Sequence, residues 1–191
     1  MLTHCVRSAI YEYVEYPKLQ HIAQQLPDEE KYPKRLFFIV PTWKEKPDVT
    51  RAMLQSVLVE AAQIPSHVIV LVNAGSDEED DLFREVYEEH PCRDNIELRF
   101  LRQVGGKRQG MADCLYQLSM EEIDEGDIIA LMDGDTVLGR DILSHCLPLF
   151  ASNPKVDALT TDNIAVTKGH WMYRKWSVSY THLTLPTNRE V

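Results

Sequence analysis

Residues 128–136 read IIALMDGDT, five apolar residues followed by two aspartates on either side of a glycine. A short apolar run bounded by turn residues is typical of a buried strand. Similar runs rich in β-branched residues occur at residues 36–40, 68–72, 96–101 and 156–160. The sequence therefore predicts five buried strands, and the two aspartates come directly after the fourth.

Segments with helical spacing separate the predicted strands and lie at residues 49–62, 77–89, 107–120 and 141–151. In the first of them, Met53, Val57 and Ala61 recur at intervals that put them on one helix face. Strands that alternate with helices predict an α/β fold with a mainly parallel, Rossmann-like sheet and helices on both of its faces. Such sheets bind ligands at the carboxyl ends of their strands.

The composition indicates a globular chain, with 44% hydrophobic and 26% charged residues among 191. A net charge of −10 makes nucleic acid an unfavourable partner, because an acidic surface repels phosphate backbones. The longest apolar stretches have five residues, whereas a membrane span needs about 20. We see no secretory signal, and the four cysteines form no CxxC pair, so free thiols in a reducing cytoplasm are expected.

Asp133 and Asp135 are the candidate metal ligands. On an extended backbone, carboxylates at positions i and i+2 project to the same side, so both can bind one hard cation. Oxygen ligands of this kind suit Mg²⁺ or Mn²⁺, and a cation held there would bridge a diphosphate. The alternative is an ordinary turn at the end of a strand, with two solvated aspartates.

Residues 105–110, GGKRQG, follow the third predicted strand and open a helix. Gly106 lets the backbone come close to a phosphate, the helix start offers free N–H groups, and Lys107 and Arg108 add positive charge. The motif matches neither a Walker A loop nor GxGxxG. It is either a basic turn on an acidic protein or, together with Asp133 and Asp135, the cationic half of a nucleotide site.

Two more polar loops follow the first and second predicted strands. Residues 41–45 read PTWKE and include Thr42 and Glu45, and residues 73–77 read NAGSD and begin with Asn73. Both loops are expected at carboxyl ends, where a nucleoside can lie across the sheet. Their alternatives are a strand ended by proline and a capped helix start.

The ordered stretches FIVPTWKE, NAGS, GKRQ and MDGDT resemble the family-two glycosyltransferases of GT-A fold, over about residues 35–176. With ALTTDN at 158–163 and Trp176, the set is most similar to bacterial processive polysaccharide synthases of the alginate (mannuronan), hyaluronan and cellulose synthase type. The resemblance implies a metal-dependent, inverting hexosyl transfer from a nucleotide-diphosphate donor to a growing β-linked polysaccharide acceptor.

The resemblance also implies roles for particular residues. Asp133 and Asp135 fall on the metal-binding DxD motif, and Lys107 on a lysine beside the diphosphate. The donor-binding residues it implies are Thr42, Glu45, Asn73, Gly106, Lys107 and Asp133. Asn73 stands where many relatives carry a carboxylate that contacts the base, so UDP- and GDP-sugars both remain open.

The resemblance further bears on domain organisation. Residues 1–34 are expected to form an N-terminal helix and linker, and residues 35–177 the nucleotide-sugar-binding part of a GT-A domain that is incomplete at its C-terminus. Residues 178–191 resemble the translation of a sequencing-library adapter and are expected to be non-native; the alternative is a Thr-rich strand and turn.

In the family, the catalytic base and the acceptor motif lie downstream of Ser177, so we expect donor binding without turnover by this chain alone. Relatives also carry membrane spans. The full-length protein is therefore expected at the cytoplasmic face of the inner membrane, held there by segments absent from this chain, and the chain itself is expected to be soluble.

Two hypotheses from other classes remain. Residues 133–137, DGDTV, also fit the nucleophile motif of haloacid-dehalogenase-type phosphatases, in which Asp133 would form an aspartyl-phosphate. That family places this strand near the start of its core, whereas here three strands precede it. The third hypothesis is a nucleotide-sugar-binding module without catalytic activity.

Overall fold

The computed structural model describes residues 10–91, 94–102, 104–153 and 156–161. A π-helical turn at Tyr11–Glu15 leads into the first helix. In chain order the elements are α1 (Tyr16–Gln25), α2 (Asp28–Lys31), β1 (Arg35–Pro41), α3 (Pro47–Ala61), β2 (His67–Ala74), α4 (Asp77–Glu89), β3 (Ile96–Arg102), α5 (Lys107–Ser119), β4 (Ile128–Leu131) and α6 (Ile142–Ser152).

The four strands form one parallel sheet in the order β3-β2-β1-β4. β1 lies inside the sheet, with Phe38 opposite Val70 of β2 and Ala130 of β4. The chain runs outward from β1 to β3 and then returns through α5 to the other side of β1. The strand order therefore reverses between β1 and β4, and open α/β sheets bind ligands at the carboxyl ends beside such a reversal.

Apolar side chains cover both faces of β1, which is why the strand reads as a continuous apolar run. Leu36, Phe38 and Val40 belong to a core shared with α3, α4 and α6. Phe37 and Ile39 point to the other face, where the core includes Cys114 and Leu118 of α5. The predicted α/β sheet with helices on both faces is confirmed.

Four of the five predicted strands and all the predicted helices are present, with ends shifted by no more than a few residues. The fifth strand, predicted at residues 156–160, is wrong: residues 156–161 are in no strand. Val156 N–H instead donates to the carbonyl of Asn153 at 2.9 Å, just after α6. A β-branched run becomes a strand only where a neighbouring strand edge accepts it, so propensity alone misleads here.

The domain boundary drawn at residue 34 falls between α2 and β1. Residues 178–191, whose origin the sequence puts in question, lie outside the described residues. In the part of the chain that the structure describes, no helix has the length and apolar character needed to cross a membrane.

Cys114 and Cys146 are free thiols, as expected. Burial, with a smaller contribution from the charge of Asp113, raises the pKa of Cys114 to about 11. Burial also raises the pKa of Cys146. Cys114 belongs to the core and Cys146 is half-buried, and the raised pKa of each disfavours the thiolate, which is the reactive form.

Candidate functional site

Thr42 joins the carboxyl ends of the two neighbouring strands β1 and β2. Its backbone N–H and its hydroxyl both donate to the carbonyl of Asn73, each at 3.1 Å. Thr42 and Asn73 are both fully buried. The two residues therefore form the floor of the carboxyl edge and fix where the loops after β1 and β2 begin.

The Asp-Gly-Asp stretch packs directly onto this floor. The N–H of Met132 still bonds to the carbonyl of Ile39 at 3.1 Å, so strand pairing with β1 continues up to the first aspartate. Gly134 is buried, and a Cβ atom added to it would lie 2.7 Å from Cγ2 of Thr42 and 3.2 Å from its Cα. The close approach of these two backbones thus requires glycine between the two aspartates.

Residues 133–136, called here the acidic turn, depart from the extended geometry that the sequence predicts. The carbonyl of Asp133 accepts a hydrogen bond from the N–H of Thr136 at 3.0 Å, which closes a turn. Both aspartate side chains are nevertheless exposed at the same carboxyl edge. The predicted extended backbone at residues 133–136 is therefore wrong. Gly134 packs on Thr42, and the chain turns immediately after the strand.

Trp43 lies between the loops that follow β2 and β3. A Cβ added to Gly75 would be 3.2 Å from Cε3 of the indole, and one added to Gly106 would be 3.9 Å from Cε2. Gly106 has φ of +84°, a conformation that favours glycine, and it precedes the first turn of α5. Lys44 places its ammonium 5.3 Å from the centre of the indole ring. The three loops therefore meet around one half-buried aromatic side chain.

Lys107, the first residue of α5, faces the loop after β1 and the acidic turn together. Its Nζ lies 2.8 Å from Oε1 of Glu45. The hydrogen bond to Glu45 raises the pKa of Lys107; burial lowers it in part, and attraction to Glu45, Asp135 and Asp133 raises it further. The lysine is therefore protonated at neutral pH, and its ammonium lies within the field of both aspartates.

The loop after β2 is held by a reciprocal helix cap, the capped helix start that the sequence offered as the alternative for residues 73–77, although Glu79 was not named as its partner. The hydroxyl of Ser76 accepts a hydrogen bond from the N–H of Glu79 at 3.2 Å, and Oε2 of Glu79 accepts one from the N–H of Gly75 at 2.7 Å. The pattern Ser-x-x-Glu at residues 76–79 signals such a cap. The cap fixes Gly75 against Trp43.

Two polar residues of α3, also missed from the sequence, hold the chain after the acidic turn. The hydroxyl of Ser56 accepts from the N–H of Leu138 at 3.0 Å. The buried carboxylate of Glu60 accepts from the N–H groups of Asp141 and Leu143, at 2.8 and 3.2 Å. Glu60 lies three residues after Val57 on the apolar helix face, and a charge in that position is a signal for a buried partner.

The structure brings all the predicted donor and metal residues to one edge: Thr42, Glu45, Asn73, Gly106, Lys107, Asp133 and Asp135. Asp162, in the ALTTDN stretch, and Trp176 lie outside the described residues. Among the residues that are described, no three His, Cys, Asp or Glu side chains come together as a metal cluster. Two exposed carboxylates fit a hard cation that takes its remaining oxygen ligands from water or from a diphosphate, as Mg²⁺ commonly does.

These features define an α/β domain with a candidate site for a nucleotide diphosphate and a cation at a strand-order reversal. A solved structure of similar fold is the mannosyltransferase PcManGT from Pyrobaculum calidifontis, in complex with GDP-Man and Mn²⁺. The two chains are 20% identical, with a TM-score of 0.50, over 81% of this chain and 44% of that one. The fold is therefore GT-A-like.

The family model described as glycosyltransferase like family 2 matches residues 33–187, and the chain belongs to that family. A relative named glycosyltransferase alg8, from Pseudomonas syringae pv. tomato (strain ATCC BAA-871 / DC3000), is 29% identical over 92% of this chain. The alg8 protein of Azotobacter vinelandii is 29% identical over 81% of it. The matches span only 36% and 31% of those relatives, so the chain corresponds to about a third of their length.

Proposed function

We propose that this chain forms the donor-binding part of an inverting, metal-dependent glycosyltransferase that extends a β-linked polysaccharide from a nucleotide-diphosphate sugar. The observation that carries the proposal is the convergence of Lys107, Asp133 and Asp135 at the carboxyl edge beside β1. Family membership supports sugar transfer as the reaction class. PcManGT, whose fold is similar, was solved with GDP-Man and Mn²⁺, which supports a donor of this chemistry.

In this proposal Asp133 and Asp135 hold a Mg²⁺ or Mn²⁺ ion, which neutralises charge on the departing diphosphate when it is bound. Lys107 donates hydrogen bonds to the same diphosphate from the side of α5. The first N–H groups of a helix lack partners within the helix and favour an anion, and α5 begins at Lys107. Because these groups are already aimed where negative charge develops, they stabilise the transition state more than the ground state.

The nucleoside would lie over the loops after β1 and β2. Thr42 and Asn73 fix the backbone there, and the indole of Trp43 offers an aromatic surface beside Gly75 and Gly106. Asn73 stands where many relatives carry a carboxylate, and because it is fully buried it positions the loop and leaves the choice of base open. We therefore keep guanine and uracil as the two bases to be compared.

The acceptor is proposed to be the growing polysaccharide, and the inverting step requires a carboxylate that takes the proton of its hydroxyl. The position expected for that base lies outside the described residues. The proposed location is the cytoplasmic face of the bacterial inner membrane, where nucleotide sugars are available. The phosphatase hypothesis loses support, because the chain belongs to a glycosyltransferase-like family and β4 follows three strands of the sheet.

Isothermal titration calorimetry of the purified chain with GDP and with UDP, each with Mn²⁺ or with a chelator, tests the proposal. We expect one nucleotide to bind with Mn²⁺ and far more weakly without it. Asp135→Asn should reduce the Mn²⁺-dependent affinity at least about tenfold, because one of two carboxylate ligands is lost.

Asp94→Asn is the matched control, since it removes one exposed carboxylate at the opposite end of the sheet, before β3. It should leave nucleotide affinity unchanged. Absence of nucleotide binding by the unmodified chain, or equal binding with and without Mn²⁺, would contradict the proposal. Binding that persists in full in Asp135→Asn would exclude the acidic turn as the metal site.

A further inference from the structure

Glu45 forms an ion pair with Lys107. The proposed contact of Lys107 with a diphosphate does not explain why a carboxylate already pairs with that lysine. The two side chains meet at 2.8 Å, with 21% of the Glu45 side chain and 37% of the Lys107 side chain exposed. Ion pairs that are partly withdrawn from solvent are screened less by salt than fully exposed pairs. The pair also links the loop after β1 to the start of α5.

The charges around Lys107 do not balance. Three carboxylates, from Glu45, Asp133 and Asp135, act on this one ammonium. The other cations of the adjoining loops, Lys44, Lys46 and Arg108, are exposed. The three carboxylates that act on the ammonium of Lys107 thus outnumber its single positive charge, and this local excess opposes the approach of an anion.

We propose that Glu45 makes the binding of a nucleoside diphosphate at this site conditional on a divalent cation. The inference rests on the proposed function. Glu45 occupies the ammonium that the phosphates require, and its charge repels them. A cation held by Asp133 and Asp135 supplies the positive charge that restores balance, so the anion and the cation bind together. A domain with such a residue avoids trapping free diphosphates in the absence of metal.

Glu45→Gln tests this inference, because it removes the charge and keeps nearly the same shape. The titrants are GDP, UDP and inorganic pyrophosphate, which needs no base recognition, each with Mn²⁺ and with a chelator. The measured quantity is the ratio of the dissociation constants without and with Mn²⁺. We expect Glu45→Gln to lower that ratio on the order of tenfold, mainly through tighter binding without metal.

Two further variants complete the design. Glu85→Gln breaks a comparable ion pair, that of Glu85 with Arg51 at 2.7 Å, on the outer surface of α4, and its ratio should match that of the unmodified chain. Glu45→Asp keeps the charge and should keep most of the metal dependence. Circular dichroism of each variant shows whether its fold is intact.

The outcomes separate this inference from the proposed function. If the unmodified chain binds no diphosphate under either condition, both are overturned. If it binds with Mn²⁺ and Glu45→Gln has the same ratio, only the role of Glu45 is overturned. Equal weakening under both conditions in a folded Glu45→Gln variant would likewise overturn it, and would make Glu45 a direct contact of the donor.

Discussion

Gly134 is the residue on which the position of both aspartates depends most directly. It is buried between them, and an added Cβ would come within 2.7 Å of Cγ2 and 3.2 Å of Cα of Thr42. The second of these atoms is the backbone Cα of Thr42, immediately after β1, and it cannot rotate away as a side chain can. Any side chain here must therefore push the acidic turn off the sheet edge.

We predict that Gly134→Ala lowers the free energy of unfolding by about 1–3 kcal/mol, the usual cost of overpacking a close contact. It should also weaken Mn²⁺-dependent nucleotide binding, because Asp133 and Asp135 move with the turn. Urea denaturation and calorimetry measure the two effects. Gly139→Ala is the control, since nothing lies within 4 Å of a Cβ at that position. Equal stability of the two variants would contradict the prediction.

At this scale the sequence supplies the identity of the candidate residues and not their geometry. Asp133 and Asp135 could be predicted as candidates because they end an apolar run. The turn between them could not, since it follows from the contact of Gly134 with Thr42, which is distant in sequence. The ion pair between Glu45 and Lys107 is unpredictable for the same reason, because it depends on where the loops after β1 and β3 meet.

Among the elements, α3 does more than cover one face of the sheet. Its buried face carries Ser56 and Glu60, which accept hydrogen bonds from three backbone N–H groups of residues 138–143. The carboxylate of Glu60 lies at the start of α6, where free N–H groups and the helix dipole favour a negative charge. The helix thus anchors the far end of the segment that begins with the acidic turn.

We predict that Glu60→Ala lowers the free energy of unfolding by about 2–4 kcal/mol, because two buried N–H groups lose a charged acceptor and a cavity remains. Glu60→Gln, which keeps one carbonyl acceptor, should lose less. Chemical denaturation of the two variants and of the unmodified chain measures these losses in unfolding free energy. Glu89→Ala, which removes an exposed carboxylate paired with Arg51, should change stability little. A small effect of Glu60→Ala would show that water replaces the carboxylate.

The elements themselves were largely predictable, and the exceptions have a common cause. The apolar runs that became β1 to β4 each have a paired neighbour, whereas residues 156–161 have a similar composition and form no strand. Helix ends marked by local signals, such as Ser76 before α4, were also predictable. The hydrogen bonds of Glu60 to residues 141 and 143 join positions 81 and 83 residues apart. A local sequence pattern cannot predict contacts between residues so far apart.

In the described part of the chain, the two ends of the sheet differ in their chemistry. The carboxyl ends of the strands carry the candidate site. The amino end of β1 is fixed by Arg35, which bonds to both carboxylate oxygens of Asp127, at 3.2 and 2.5 Å, and to the carbonyl of Glu122 at 2.8 Å. These contacts tie the chain that enters β4 to the start of β1 and so set the register in which the acidic turn reaches Thr42.

Asp127 is nearly fully buried, with 2% of its side chain exposed, and this gives the molecule a defined acid sensitivity. Burial alone would raise the pKa of Asp127, but hydrogen bonds from Arg35 and from the N–H of Asp124, with the charge of Arg35, hold it below its usual value. A carboxylate with a depressed pKa in the folded state stabilises the fold at pH values above its unfolded pKa, about 3.9. That contribution is lost as the pH falls through the folded value.

We therefore predict that Asp127→Asn lowers the free energy of unfolding at pH 7 by about 1.5–3 kcal/mol, the usual contribution of hydrogen bonds to a charged group. The difference from the unmodified chain should stay constant between about pH 7 and 5 and shrink below about pH 4, as the unmodified chain takes up the proton. Urea denaturation across this range measures it. Asp94→Asn, at the same end of the sheet but exposed, should follow the unmodified chain at every pH. The prediction is contradicted if the difference in unfolding free energy between Asp127→Asn and the unmodified chain grows as the pH falls. That result would mean that the pKa of Asp127 is higher in the folded state than in the unfolded one. The contacts with Arg35 require the opposite.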